Sequence, residues 1–392
     1  MKKRIGIIFG GRSVEHEVSV ISALQVMENI DKSKFDAVPI YINKEGKWYT
    51  GNSLKDIKNF KNKSLKDAKE IIFTPTYNDS NMYIHPKKKG IFGRKILTTI
   101  DIFFPLIHGT NGEDGTLQGF LELMNTPYVG GSVQSYSVGM DKVIMKDVFK
   151  AHGLPMVDHM WFYRKKWSED KDSIINSVEQ KLKYPVFVKP ANLGSSVGIS
   201  KAKNKEELYQ AIEVAIRYDR KIIVEQGIDK PREINIAVLG YDDILKTSLC
   251  EEPLGWEDFL SYEDKYINNG SKNNEGKNDS NKRKIPADIS KDMTAHIEEI
   301  AKKAFIAIDC SGNARLDFLI DEKENIYINE INTVPGSISF YLWKPTGIAF
   351  TELITELIDI AQIKHREKEN NIYSYDVDLF KRKELANKGS KI

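Results

Sequence analysis

Two segments near the C-terminal end, residues 313–321 and 326–332, constrain this chain more than any other pair. Asn313-Ala-Arg-Leu-Asp-Phe-Leu-Ile-Asp321 and Ile326-Tyr-Ile-Asn-Glu-Ile-Asn332 both alternate apolar and polar residues, the period of a half-buried strand. The short polar run between them predicts a hairpin. With the turn centred there, Asp317 falls opposite Glu330 and Arg315 opposite Asn332, and the strand period sends all four side chains to one face. Two carboxylates, an amide and a guanidinium would waste desolvation energy as a core. They suit a patch that holds hard cations bridging phosphate oxygens. A solvated hairpin face is the plainer alternative, and the remainder of the chain has to decide between them.

At 392 residues the chain has room for two or three domains, each with its own core. A hydrophobic content of 41% with 29% charged residues is that of an ordinary soluble globular protein. Lys plus Arg number 58 against 56 for Asp plus Glu, so no global charge draws the chain to nucleic acid or an anionic membrane. The apolar run at the start is too short for a signal peptide, and Arg12, Glu15 and Glu17 follow at once. No stretch approaches the roughly 20 apolar residues needed to span a bilayer. Cys250 and Cys310 have no metal-type spacing and sit in apolar-leaning segments, which predicts buried reduced thiols in a cytoplasmic protein.

The beginning reads as strand, turn, helix. Residues 4–9 form a short apolar strand, Gly10-Gly11 a turn, and Ser13 an N-cap candidate for a helix reaching about residue 30. A strand at 35–42 predicts a parallel sheet with a crossover helix. Residues 50–98 are Lys- and Asn-rich and weakly patterned, which suggests long loops or a peripheral hairpin. A strand at 101–107, a helix at 117–124 and a strand at 127–129 complete a first α/β unit, 1–130. A second unit, 131–224, alternates helices at 141–151, 167–182 and 205–218 with strands at 155–162 and 185–189. The third, 225–392, is introduced by the strand 221–225 and holds two more strands, a helix at 288–307, the hairpin, a last helix at 351–363 and a charged tail. Within it, 268–284 contains no apolar residue and cannot order itself by burial.

Several loops carry chemistry. Lys189-Pro-Ala-Asn-Leu-Gly-Ser-Ser-Val-Gly198 places a lysine at a strand end before a loop of small residues. Its backbone N–H groups and the Ser195 and Ser196 hydroxyls can take phosphate oxygens, although a plain strand connection is the simpler reading. Glu225 and Glu233 flank a short loop and could accept hydrogen bonds from an adenine amine or a ribose; singly, each reads as a surface carboxylate. Lys142 opens a helix, where a cation opposes the macrodipole and hints at an anionic ligand. The Gly-rich loop from His108 to Gly119 and the loop Gly10-Gly-Arg-Ser-Val-Glu15 both follow strands, where open α/β sheets place ligands.

Taken together these motifs resemble the D-alanine–D-alanine ligases of the ATP-grasp superfamily. The likeness covers almost the whole chain apart from 50–98, 268–284 and the tail. It rests on Gly10 to Ser19, His108 to Gly119, Met140-Asp-Lys142, Lys189 to Gly198, Glu263-Asp-Lys-Tyr266, Arg315-Leu-Asp317 and Glu330 to Gly336. The fold it implies is α/β: an N-terminal doubly wound parallel-sheet domain followed by a two-part ATP-grasp fold. It implies ATP and D-alanine as small-molecule substrates, two Mg²⁺ ions that Mn²⁺ can replace, an acyl phosphate intermediate and a homodimer, with neither nucleic acid nor membrane as partner. Residue by residue, it assigns Lys142, Lys189 and the Ser195-Ser196 loop to ATP phosphates, Glu225 to adenine and Glu233 to ribose. Asp317, Glu330 and Asn332 become metal ligands. Glu15 would hold the ammonium of the first D-alanine in a chain with Ser195 and Tyr266, Arg315 and the Gly336 N–H would face the oxyanion, and Lys265 the acceptor carboxylate.

One departure concerns the acceptor. Tyr341 stands where the better-known members carry a small serine, whereas Leu342 agrees with D-alanine rather than D-serine or lactate users. Leu342 is therefore expected as an apolar wall beside the acceptor side chain, and Leu342→Arg as a change that shifts preference toward D-serine. A D-alanine–D-serine ligase is the alternative within this chemistry, and an inactive nucleotide-binding regulator the alternative outside it. Intact Arg315, Asp317, Glu330 and Asn332 speak against the regulator. Asp317→Asn is expected to leave the fold intact, because it relieves like-charge repulsion.

Overall fold

The computed structural model describes residues 2–62, 64–85, 95–254 and 283–373. Lys265, Tyr266 and the segment expected as a lid lie outside the described residues, as do 268–282 of the polar stretch and the tail from 374.

Strand β1 (Lys3–Gly10) is buried from Ile5 onward on both sides, as a central parallel strand must be. It pairs in parallel with β2 (Phe35–Ile42) through the crossover helix His16–Asn29. The helix starts three residues after Ser13, with Glu15 at the cap; the Ser13 hydroxyl instead accepts the Glu15 N–H at 3.1 Å and shapes the turn. After β3 (Trp48–Thr50), the weakly patterned region supplies β4 (Lys69–Ile72), β5 (Asn81–Ile84) and β6 (Ile96–Thr99) rather than only loops. These are short, and only Ile71 of β4 and Met82 of β5 are fully buried, so their sequence signal is faint and pairing with neighbours does much to define them. Strand β7 (Ile102–Pro105) closes the order β6-β5-β4-β3-β2-β1-β7, parallel across β2-β1-β7 and antiparallel beyond β2. Residues 127–129, expected as a strand, make a single bridge between Tyr128 and Phe103.

The second sheet contains β8 (His159–Tyr163), β9 (Val186–Pro190), β10 (Ser200–Ala202) and β11 (Lys221–Gln226), in the order β10-β9-β11-β8. Strand β11, which the sequence places at the head of the third unit, hydrogen-bonds to β9 and β8 here. The expected helix 167–182 is two helices, Arg164–Glu169 and Lys171–Lys181, because Asp170 turns out to cap the second. Ile175, Val178, Leu208 and Ile212 cover the sheet and form one core with Val188 and Val224.

The third sheet holds β12 (Arg232–Tyr241) and β13 (Ile244–Thr247). A small ribbon of β14 (Glu252–Pro253) and β15 (Arg283–Lys284) and the helix Lys291–Ala307 precede β16 (Gly312–Ile320) and β17 (Ile326–Asn332). The order is β13-β12-β16-β17, and the hairpin register pairs Arg315 with Asn332 and Asp317 with Glu330, as the sequence predicts. A bulge follows Asp317, so Phe318 pairs with Ile328 and Asn329 is left over. The last helix, Phe350–Glu369, packs Leu353, Ile354 and Leu357 into a core that also contains Val26 of the crossover helix and Leu239 of β12, joining the first sheet's helix to the third sheet. Each such fully buried aliphatic side chain contributes about 1.5–3 kcal/mol. Cys250 and Cys310 are free and buried, and burial pushes both thiols up to about 12.

Candidate active site

Three loops and two sheets converge. Helix Lys142–Ala151 begins at Asp141, whose carboxylate accepts the Val143 and Ile144 N–H groups. Its spacing stacks Lys142 and Lys146 on one face, four residues apart. Lys142 Nζ reaches Glu330 at 3.4 Å and donates to the Leu193 carbonyl at 3.0 Å, tying the helix to both the hairpin and the small-residue loop. Lys146 is fully buried and meets Glu225 at 3.2 Å, while Lys189, from β9, meets the same carboxylate at 2.6 Å. Burial opposes the charge on Glu225, yet the two lysines bring it down to about 2. Burial lowers Lys146 in turn, against the pull of Glu225. The bulge residue Asn329 is the second partner of Lys189, accepting from it at 3.3 Å.

On the hairpin, Arg315 Nε donates to Asp317 Oδ1 at 2.6 Å and Nη2 to Oδ2 at 2.7 Å, and Asn332 Nδ2 adds a third bond to Oδ2 at 3.1 Å. Register places Glu233 of β12 opposite Leu319, two residues along the strand from Asn235, which faces Asp317. Glu233 therefore shares the face of the Asp317 row, separated by one pair of positions.

The small-residue loop holds Ser195 and Ser196 at φ of 53° and 58°, a left-handed conformation that non-glycine residues adopt at a cost. From there the Ser195 hydroxyl donates to Glu15, so this loop meets the loop after β1. Gly109 and Gly194 close around that carboxylate: a Cβ on Gly109 would sit 2.6 Å from Glu15 Oε2. Beside it, Glu113 accepts the Gly109 N–H at 2.7 Å and the Val334 N–H at 2.8 Å, and burial together with the Glu15 charge pushes it up to about 8. His108 is buried, lowered to about 4 by desolvation, and donates Nδ1–H to the Val334 carbonyl at 2.8 Å; its Nε2 then accepts the Ser22 hydroxyl at 2.9 Å. Ser22 Oγ accepts the Ser337 N–H at 3.0 Å. This network carries Gly336, at the head of a turn in which Ser337, Ile338 and Ser339 all have positive φ.

The structure thus links Glu15 to Ser195, Lys142 to Glu330 and the Ser195 loop, and Arg315 and Asn332 to Asp317, which the register sets opposite Glu330; Lys189 pairs with the buried Glu225, and Gly336 heads the turn held by Ser22. Leu342 departs from expectation: it is fully buried in the core with Trp343 and Val334, so it is packing and not a pocket wall. Sequence reasoning gave no role to Glu113, Lys146 or Asn329. Lys146 had a signal in its four-residue spacing from Lys142, and Glu113 in being a carboxylate within a Gly-rich loop; Asn329 had none, because a bulge is not visible in the alternation.

Paired lysines and a strained small-residue loop on one sheet, facing an arginine–carboxylate row on another, define an ATP-grasp type of α/β enzyme. Family models described as "D-ala D-ala ligase N-terminus" and "D-ala D-ala ligase C-terminus" match residues 4–131 and 148–359. The "D-alanine--D-alanine ligase" of Natranaerobius thermophilus is 42% identical over 384 residues, covering 95% of this chain and 98% of that protein. The one from Bacillus velezensis is 44% identical over 369 residues, 92% of this chain and 98% of its own. Among solved structures, the D-alanine-D-alanine ligase from Coxiella burnetii aligns at TM-score 0.76 and 31% identity over 94% of this chain and 96% of its own. The VanG D-Ala:D-Ser ligase from Enterococcus faecalis aligns at 0.77 and 31% over 92% and 100%. The chain belongs to the D-alanine–D-alanine ligase family.

Proposed function

We propose that this chain is an ATP-dependent ligase that joins two D-alanines into D-alanyl-D-alanine for peptidoglycan synthesis, forming ADP and phosphate. The observation that carries the reading is the bond from Ser195 to Glu15, because it joins a phosphate-type loop to a buried carboxylate suited to an amino-acid ammonium. In the first step a carboxylate oxygen of the Glu15-held D-alanine attacks the γ-phosphorus of ATP and ADP leaves. In the second, the amine of the other D-alanine attacks the acyl carbon, loses a proton, and inorganic phosphate leaves.

Carboxylate and triphosphate are both anions and approach only if charge is cancelled. Lys142 and Lys189 do this at the phosphates, and Arg315 with the Gly336 N–H at the developing oxyanion. Glu225 serves the adenine and Glu233 the ribose. Asp317, Glu330 and Asn332 would hold Mg²⁺, as two ions or as Mn²⁺ in their place. Their donors are the hard oxygens such ions prefer. No three acidic, His or Cys side chains gather as a metal site among the described residues, so the Asn332 amide and nucleotide oxygens have to complete the shell. When bound, the ions supply Lewis-acid stabilisation of the transferring phosphoryl group. Tyr266 closing against Ser195 to exclude water from the acyl phosphate, and Lys265 facing the acceptor carboxylate, belong to the same reading.

Among the described residues no helix is long and apolar enough to cross a membrane. Work in the cytoplasm as a homodimer belongs to the reading on the family resemblance. The test is D-alanine-dependent phosphate release, followed by competition between D-alanine and D-serine with dipeptides weighed by mass spectrometry. No phosphate release would end the ligase reading; mainly D-alanyl-D-serine would replace the acceptor.

A further inference from the structure

The polar row on the hairpin does not stop at β16. In the β12–β16 register Asn235 lies opposite Asp317, so the row continues onto β12. Asn235 is bridged to Glu251 by two backbone hydrogen bonds of 2.8 Å. Glu251 is only 3% exposed, and three side chains converge on it. Arg283 Nη1 is 3.2 Å away, the Tyr341 hydroxyl donates at 3.3 Å, and Asn235 Nδ2 donates at 3.5 Å. The Arg283 guanidinium also lies 4.4 Å over the centre of the Tyr341 ring. Arg283 is therefore clamped between an aromatic face and a buried carboxylate, with Tyr341 fixed at both its hydroxyl and its ring.

This cluster has no part in the phosphate chemistry described above. The other cations of the row have their tasks in the ligase reading: Lys142, which pairs with Glu330, and Lys189, which pairs with Glu225, serve the phosphates, and Arg315, bonded to Asp317 through Nε and Nη2, serves the oxyanion. The second amino acid nevertheless enters as a zwitterion, and its carboxylate joins a crevice that already contains Glu15, Asp317, Glu330 and a triphosphate. It needs a cation at the end of the row away from the lysines, and a guanidinium held flat presents the fork that binds a carboxylate. We propose that Arg283 receives the carboxylate of the acceptor amino acid, in addition to Lys265, to which the family resemblance assigns the same group, with Glu251 and the Tyr341 ring as the positioning groups that hold its fork. The inference rests on the ligase reading and extends it to the acceptor.

The two halves of the reaction can be separated by nucleophile. Hydroxylamine intercepts an acyl phosphate to give a hydroxamate, and having no carboxylate it needs no anchoring cation. Arg283→Met should leave hydroxamate formation from ATP, D-alanine and hydroxylamine within about threefold of wild type, while dipeptide formation falls about 100-fold through the KM of the second D-alanine. Arg283→Lys should recover part of that loss, and Glu251→Gln should raise the same KM by about tenfold with little change in hydroxamate. Equal loss of hydroxamate and dipeptide in Arg283→Met would mean that Arg283 supports the fold, and unchanged dipeptide formation would mean that it does not meet the acceptor; either overturns the proposal. A wild-type protein that makes no hydroxamate would overturn the ligase reading, and the acceptor site with it.

Discussion

Arg315 grips Asp317, two residues along the same strand, with two bonds of 2.6 and 2.7 Å. The carboxylate that the metal reading needs is thus also the counter-charge of a largely buried guanidinium. Any cation that takes an Asp317 oxygen must do so in competition with, or after release of, one of the two arms.

That relationship corrects the expectation that Asp317→Asn is harmless to the fold. Removing one partner of a buried ion pair leaves the other charge unpaired, which costs on the order of 3 kcal/mol. Asp317→Asn should therefore lower the Tm by several degrees. Glu330→Gln should lower it much less, because Glu330 is 30% exposed in its side chain and pairs with Lys142 at a looser 3.4 Å. Both should reduce D-alanine-dependent phosphate release by several orders of magnitude. Thermal melts beside phosphate assays check both halves; normal turnover in either variant would remove the hairpin from the metal site.

Glu113 should make stability depend on pH. Its carboxyl is raised from 4.5 to about 8 by burial and by Glu15, so the folded protein keeps a proton that the unfolded chain has released. The stability is fully present below the unfolded value and is lost as pH rises through about 8. Glu113→Gln should flatten the decline in Tm over that window. A slope unchanged from wild type would show that another group titrates there.

At Glu225 two lysines share one carboxylate, and the consequences of substitution are unequal. Glu225→Gln leaves Lys146 and Lys189 facing each other in a buried site, a loss on the order of 3–5 kcal/mol. Lys146→Met leaves Lys189 and Glu225 as a neutral pair and should cost about 1 kcal/mol or less. Urea denaturation of the two variants measures the difference, and equal losses would mean that Lys146 is not charged in the folded protein.

Leu342→Arg is now expected to prevent folding, where the sequence pattern pointed to a change of acceptor. Leu342 is fully buried among apolar side chains, and an unpaired guanidinium there has neither water nor a counter-ion. Soluble yield and far-UV circular dichroism decide the matter. A well-folded variant with altered acceptor choice would restore the pocket-wall role.

Ser22→Ala probes the network under Gly336. The hydroxyl accepts the Ser337 N–H and donates to His108, so its loss leaves a part-buried donor unsatisfied at a cost of about 1–3 kcal/mol. The strained turn at 337–339 should loosen, seen as faster amide hydrogen exchange at those residues. Unchanged exchange would assign the turn's conformation to its own packing.

The sequence by itself determined the local frame: β1, the crossover helix and β2, the hairpin register that sets Asp317 against Glu330, and the loops carrying Glu15, Lys142, Lys189 and Ser195. These are legible because alternation and turn residues act over a few positions and do not need the rest of the chain. The tertiary structure decided what lies between distant segments. It joined Ser195 to Glu15, set Lys146 and Lys189 on one carboxylate, gave β11 to the second sheet and put Leu342 in a core. Short strands β4 to β6 form where neighbours supply their hydrogen bonds and a core takes Ile71 and Met82. Burial and charge pairing depend on which surfaces meet, and a linear pattern does not contain that information.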